Sequence, residues 1–158
     1  MKYKNKREVC IPGIYRHFKH TEKGGWNNYI YVTLADTQLL TDKQLRNFIE
    51  FHHYSYDILF KVTETETKNE LALIKINDKV YLIDCCNEIK KPVDYIVYRS
   101  LYDNQVYARL KDMFLSFIPE GRESKCNEKY RFELMMNSVR HCTGVQDAIS
   151  GKIIIRER

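Results

Sequence analysis

The feature of this chain that most limits its fold is a period-two alternation of apolar and polar residues, broken by turn dipeptides. Residues 70–76 and 79–84 alternate on either side of Asn77-Asp78, residue types that a two-residue hairpin turn selects. Residues 95–101 and 106–110 repeat the arrangement around Asp103-Asn104. Residues 29–34, 56–63 and 130–134 are rich in β-branched and aromatic side chains and read as further strands. A chain divided in this way predicts the α+β class: a mostly antiparallel sheet, SH3-like or otherwise barrel-like.

One inserted helix is expected over residues 42–53. Thr41 is a good N-cap, and Gln44 three residues later completes a capping box. Leu40 and Leu45 stand at the positions of a hydrophobic staple, and Leu45, Phe48, Ile49 and His52 share one helix face. Residues 14–19 read as a short strand or tight connection, and residues 111–115 as a helical turn or another strand. The last section predicts a short helix over residues 137–150, with Thr143 and Gln146 at cap spacing, then a strand over residues 152–156. A terminal strand must pair with its own sheet or with another subunit, so a homo-oligomer is expected.

With 158 residues and 44% apolar side chains, the chain is sized for a single domain, residues 1–158, with a real core. No apolar run reaches the roughly 20 residues that cross a bilayer, so no membrane span is expected and the cytoplasm is the expected location. The five cysteines, Cys10, Cys85, Cys86, Cys126 and Cys142, contain no Cys-x-x-Cys pair. That spacing fits reduced thiols better than a zinc site or a disulfide framework. The net charge of +5 favours anionic partners.

The most composed cluster is residues 12–19, Pro-Gly-Ile-Tyr-Arg-His-Phe-Lys, in which Arg16, His17 and Lys19 sit among the rings of Tyr15 and Phe18 directly after a turn. In an extended strand Tyr15, His17 and Lys19 share one face and Arg16 and Phe18 the other; a turn or bulge lets the three basic residues converge. Arg99 and Arg109 come from the two arms of the second hairpin and are expected to be near cross-strand neighbours. If the first segment packs beside that hairpin, Arg16, His17, Lys19, Arg99 and Arg109 line one basic pocket with Tyr15, Tyr98 and Tyr102. Guanidinium groups and aromatic planes together suit a nucleotide. The plainer alternative is that Tyr15 and Phe18 are core residues, the cations solvate the surface, and Asp or Glu side chains pair the arginines.

Gly13-Ile14-Tyr15-Arg16-His17-Phe18-Lys19 resembles the opening of the bacterial domain of unknown function 1653 family, whose members begin Gly-x-Tyr-Arg-His-Phe/Tyr-Lys. The family's later pieces are matched in order by Val97-Tyr98-Arg99-Ser100-Leu101-Tyr102, Arg109, Met113-Phe114 and Arg131-Phe132. The resemblance covers about residues 9–37 and 93–134, separated by an insertion over residues 38–92 and followed by an extension over residues 135–158. Leu110 stands where the family usually has Pro, and Thr63-Glu64-Thr65-Glu66-Thr67 only weakly echoes its His-Thr-Glu-Thr stretch. The resemblance implies a small, mostly β core in a bacterium or its phage, and it supplies no reaction.

No His-x-x-x-His, Gly-x-Ser-x-Gly, Walker or dinucleotide-binding motif is present, and the scattered Asp residues have no metal-nuclease spacing. His52-His53 at a helix end suits a dipole or interface role. The sequence therefore favours a non-catalytic binding protein for a small anionic ligand, most plausibly a nucleotide or nucleotide-derived signal, with no cofactor and no metal. The alternative is an adaptor for nucleic acid or protein. A duplex binder would show a longer basic stripe and a groove-reading element.

Overall fold

A computed structural model describes residues 8–122 and 129–136 of the chain. Eight strands form one sheet: β1 (Ile14–His17), β2 (Ile30–Leu39), β3 (Asp57–Glu64), β4 (Glu70–Ile76), β5 (Lys79–Ile83), β6 (Val93–Ser100), β7 (Val106–Leu110) and β8 (Phe132–Met136). Their order is β5-β4-β3-β7-β6-β2-β1-β8, and β5 also pairs with β2. The extra pairing closes β2, β6, β7, β3, β4 and β5 into a six-stranded barrel. Strand β2 makes this possible by sharing one edge: residues Ile30–Val32 pair with β1, and Leu39 at the other end pairs with Leu82 of β5.

The barrel is not wholly antiparallel. Strands β2 and β5 meet in parallel, and so do β3 and β7 through Thr63–Tyr107 and Glu64–Ala108. Period-two alternation marks which residues face the core and is silent on which strand lies alongside, so the sequence could not show these two closures. A bulge at Thr33–Ala35 shifts the β2–β6 register and lets both Leu34 and Ala35 face the interior. It also breaks the alternation, which is why β2 continues to Leu39 where the sequence pattern ends at residue 34.

The hairpin signals are realised. Asn77 and Asp78 have φ of 47° and 67°, the left-handed pair of a type I′ turn, and Lys79 stands opposite Ile76. The helix α1 (Asp42–Arg46) carries the full capping box, with Gln44 N–H donating to Thr41 Oγ1 at 3.0 Å and Thr41 N–H to Gln44 Oε1 at 2.9 Å. It widens to a π turn over Asn47–Phe51. Leu45 and Phe48 then pack with Tyr54 on Leu40, Ile74, Ile76 and Ile83, outside the β4–β5 hairpin. Residues 111–115 form a second helical turn, α2 (Lys111–Phe114), so the inserted helix is not alone.

The barrel is filled by Val32, Leu34, Leu39, Val62, Leu71, Leu73, Leu82, Val97 and Ala108, each Val or Leu contributing roughly 1.5–3 kcal/mol when enclosed. Strands β7-β6-β2-β1-β8 are contiguous, and β3-β4-β5, from residues 57–83, run from β7 back to β2 at Leu39. These three strands therefore complete the barrel. The outer face of the first group carries a second core of Tyr15, Ile96, Tyr98, Phe114, Leu115 and Phe132, covered by α2. Cys85 and Cys86 are exposed free thiols; Cys126, Cys142, the expected helix over residues 137–150 and the strand over residues 152–156 lie outside the described residues. Among the described residues no helix is long and apolar enough to cross a membrane.

Candidate functional site

The outer core is where the separated sequence motifs meet. Strand β1 presents Tyr15 and His17 on one face. Tyr15 meets Phe114 edge-on at 5.1 Å, and Phe114 stacks on Phe132 at 4.2 Å. His17 meets Phe132 edge-on at 4.9 Å. Tyr98 packs against both Phe114 and Phe132 and accepts a 3.1 Å hydrogen bond from Arg109 Nε. The Arg109 guanidinium also lies over the Phe132 ring. Beside it is Arg131, whose Nε donates to Ser116 Oγ at 3.2 Å.

Strand β1 ends at His17 because the chain turns there: His20 N–H donates to the His17 carbonyl at 2.9 Å, and Phe18 N–H to the Arg131 carbonyl at 3.1 Å. The turn brings the Phe18 ring against His17 at 4.4 Å. Lys19 N–H donates to His17 Nδ1 at 3.1 Å, which selects the neutral tautomer with its proton on Nε2. Burial, then the charges of Arg109, Arg131, Lys19 and Arg122, lower the His17 pKa to about 3. Burial, with Arg109 next in effect, also pushes Arg131 below its usual value. The repulsion among these groups shows how much positive charge is concentrated here. Glu66 answers it only partly, with Oε1 3.5 Å from Arg109 Nη1 and its side chain half exposed.

A cleft of about 460 Å³ opens beside the cluster, lined by Tyr29, Tyr31, Tyr102 and Tyr107 together with Asn28 and Asp103. Tyr29 stacks on His17 at 5.7 Å, and Tyr31 meets Tyr98 edge-on at 5.0 Å, so the cleft wall is continuous with the cationic cluster. Tyr29 and Tyr102 are 42% and 64% exposed, leaving ring faces open to a planar ligand. Burial pushes the Tyr31 hydroxyl well above its ordinary pKa, so it is a neutral donor at physiological pH.

The expected pocket is thus partly rearranged. His17, Tyr98 and Arg109 come together, Lys19 is exposed with its backbone on His17, and Tyr102 lines the cleft. Tyr15 is buried, its hydroxyl accepting from Cys10 N–H at 2.9 Å. Arg16 alternates to the opposite face of β1. Arg99 and Arg109 are not neighbours: Arg99 stands opposite Val106 and Arg109 opposite Ile96. The β6–β7 register puts them on opposite faces of the sheet, Arg99 inward with Val97 and Arg109 outward with Tyr98. The expected cross-strand pairing fails because the turn closes with Ser100 N–H donating to Gln105 O and Asn104 in the left-handed region at φ 63°, which sets this register.

Arg131, Tyr29, Tyr31 and Tyr107 belong to the site and were not singled out for it by the sequence. The pair Arg131-Phe132 carried a signal, since it is one of the motif segments. Among the described residues no group of three or more His, Cys, Asp or Glu is placed to hold a metal ion. No family model matches the chain, and no curated protein or solved structure matches it either.

Proposed function

We propose that this protein is a non-catalytic binding protein for a small anionic ligand of the nucleotide class. The observation that carries the reading is the positive charge of Arg109 and Arg131, met among the described residues by the half-exposed Glu66 carboxylate, close to a cleft rich in tyrosine rings that His17 and Tyr98 join to the cluster. Guanidinium groups supply planar donors to a phosphate. Tyr29 and Tyr102 supply faces for a base, and base–aromatic stacking contributes about 1–3 kcal/mol per base.

His17 supports binding rather than proton transfer. A group with a pKa of about 3 is a poor general acid or base near neutrality. Kinship with the domain of unknown function 1653 family belongs to the same proposal. It is supported by the convergence of Tyr15, His17, Tyr98, Arg109, Phe114 and Phe132, drawn from its separate segments, on one face of the sheet.

Native mass spectrometry of the purified protein tests the reading. A bound, chemically unmodified phosphate-bearing species released on denaturation is the expected result. A thermal-shift panel of nucleoside monophosphates and cyclic mononucleotides extends it, since a ligand at 100 times its Kd adds about 2.7 kcal/mol of stability. No retained species and no shift with any of these ligands would refute it.

A further inference from the structure

The β3–β7 ladder is short. It pairs only Thr63 with Tyr107 and Glu64 with Ala108, although β3 begins well before, at Asp57. Among the described residues the β7-facing edge of β3 ahead of Thr63 has no ladder partner. Arg99 reaches this region from β6, on the other side of β7. It stands in β6 between Val32 of β2 and Val106 of β7, and alternation directs it to the interior shared by Tyr95 and Val97. Its guanidinium lies over the ring of Phe60 on β3, 5.5 Å from the centroid.

Arg99 is only 9% exposed. Its Nε and Nη1 atoms are enclosed with no hydrogen-bond partner, and none of the ion pairs among the described residues involves it. Burial lowers its pKa below the usual value with no counter-charge to oppose the shift. Enclosed N–H donors without an acceptor are unfavourable, and an apolar side chain of similar size would leave none unmatched. A guanidinium kept here with free donors is therefore explained by a ligand that completes it.

We infer that Arg99 and Phe60 form a second anion site, at the unpaired edge of β3 ahead of Thr63 and on the opposite face of the sheet from the Arg109–Arg131 cluster. Its ligand is a single oxyanion, a carboxylate or a phosphate group. Arginine offers planar donors to both, and the Phe60 ring fixes the plane in which they lie. The site does not depend on the outer-face reading, because no residue is shared between them.

The test is NMR of the arginine Nε–H groups in the full chain, titrated with sodium acetate and separately with inorganic phosphate. The Arg99 resonance is assigned by its loss in Arg99→Met, or in Arg99→Lys if the first variant does not fold. The expected result is a saturable shift of that resonance with one or both anions, retained in an Arg109→Gln background. A response to acetate alone makes the natural ligand a carboxylate, and a response to phosphate alone makes it a phosphate. No shift with either anion, or a shift that vanishes in Arg109→Gln, overturns the second site.

Discussion

Arg109 Nε donates to the Tyr98 hydroxyl at 3.1 Å across the β6–β7 ladder, although Arg109 stands opposite Ile96 and Tyr98 opposite Tyr107. The two are diagonal neighbours on the outer face, a spacing that long side chains span. The bond serves both partners: an enclosed phenol needs an acceptor or donor, and the arginine gains a fixed position over Phe132.

Tyr98→Phe removes that bond with little change in packing. It should lower stability by about 1–2 kcal/mol, because a half-buried charged donor loses its acceptor. Denaturant unfolding of Tyr98→Phe, Arg109→Gln and the double variant checks this. A coupling energy of roughly 0.5–3 kcal/mol is expected for groups in direct contact, and strict additivity would show that the bond does not hold the arginine.

His17 should give the protein a pH-dependent stability of known sign. Its folded pKa is about 3, against about 6.5 in an unfolded chain. Between those values the unfolded state binds the extra proton, so stability is full above about pH 6.5 and falls as pH drops towards 3. The contribution is on the order of a few kcal/mol. Urea unfolding at pH 7.5 and 4.5 should show the loss, and His17→Phe, which keeps a ring against Tyr29 and Phe132, should reduce the difference between the two conditions.

Much of this was readable from residues. The Asn77-Asp78 turn, the Thr41–Gln44 capping box and the β strands rest on local chemistry, and local chemistry is what a sequence displays. The parallel closures β2–β5 and β3–β7 rest on contacts between segments far apart, which leave no local mark. The candidate site divides in the same way. Tyr15-Arg16-His17-Phe18-Lys19 announces a basic aromatic cluster and its alternation separates Arg16 from His17, but only the turn at His17–His20 brings the Phe18 ring against His17. Arg131 was hidden because its neighbours are brought to it by β1–β8 pairing, and Arg99 was misplaced by a register that no spacing rule fixes.

Gly13 is a close approach that a side chain cannot share. A Cβ there would lie 2.9 Å from the Cys10 carbonyl oxygen and 3.1 Å from Leu134 Cδ1. Gly13 N–H also donates to Thr33 Oγ1 at 2.8 Å, and Thr33 Oγ1 donates to the Cys10 carbonyl at 2.6 Å, tying the chain before β1 to β2. Gly13→Ala should cost about 1–3 kcal/mol through overcrowding, and Thr33→Val a similar amount through the unmatched Gly13 N–H. Thermal unfolding of both variants measures the two effects, and an unchanged Tm in either would show that this junction does not anchor β1.

The central claim is that the Arg109–Arg131 cluster binds an anion of the nucleotide class. Isothermal titration of the parent, Arg131→Gln and Arg16→Ala with the best ligand of the nucleoside monophosphate and cyclic mononucleotide panel tests it most directly. The predicted result is saturable binding by the parent, about tenfold weaker binding by Arg131→Gln from loss of a charge-assisted contact, and no change in Arg16→Ala, whose side chain lies on the other face of β1. Folded Arg131→Gln that binds as tightly as the parent, or a parent that gives no binding heat with any ligand of the panel, would contradict the account.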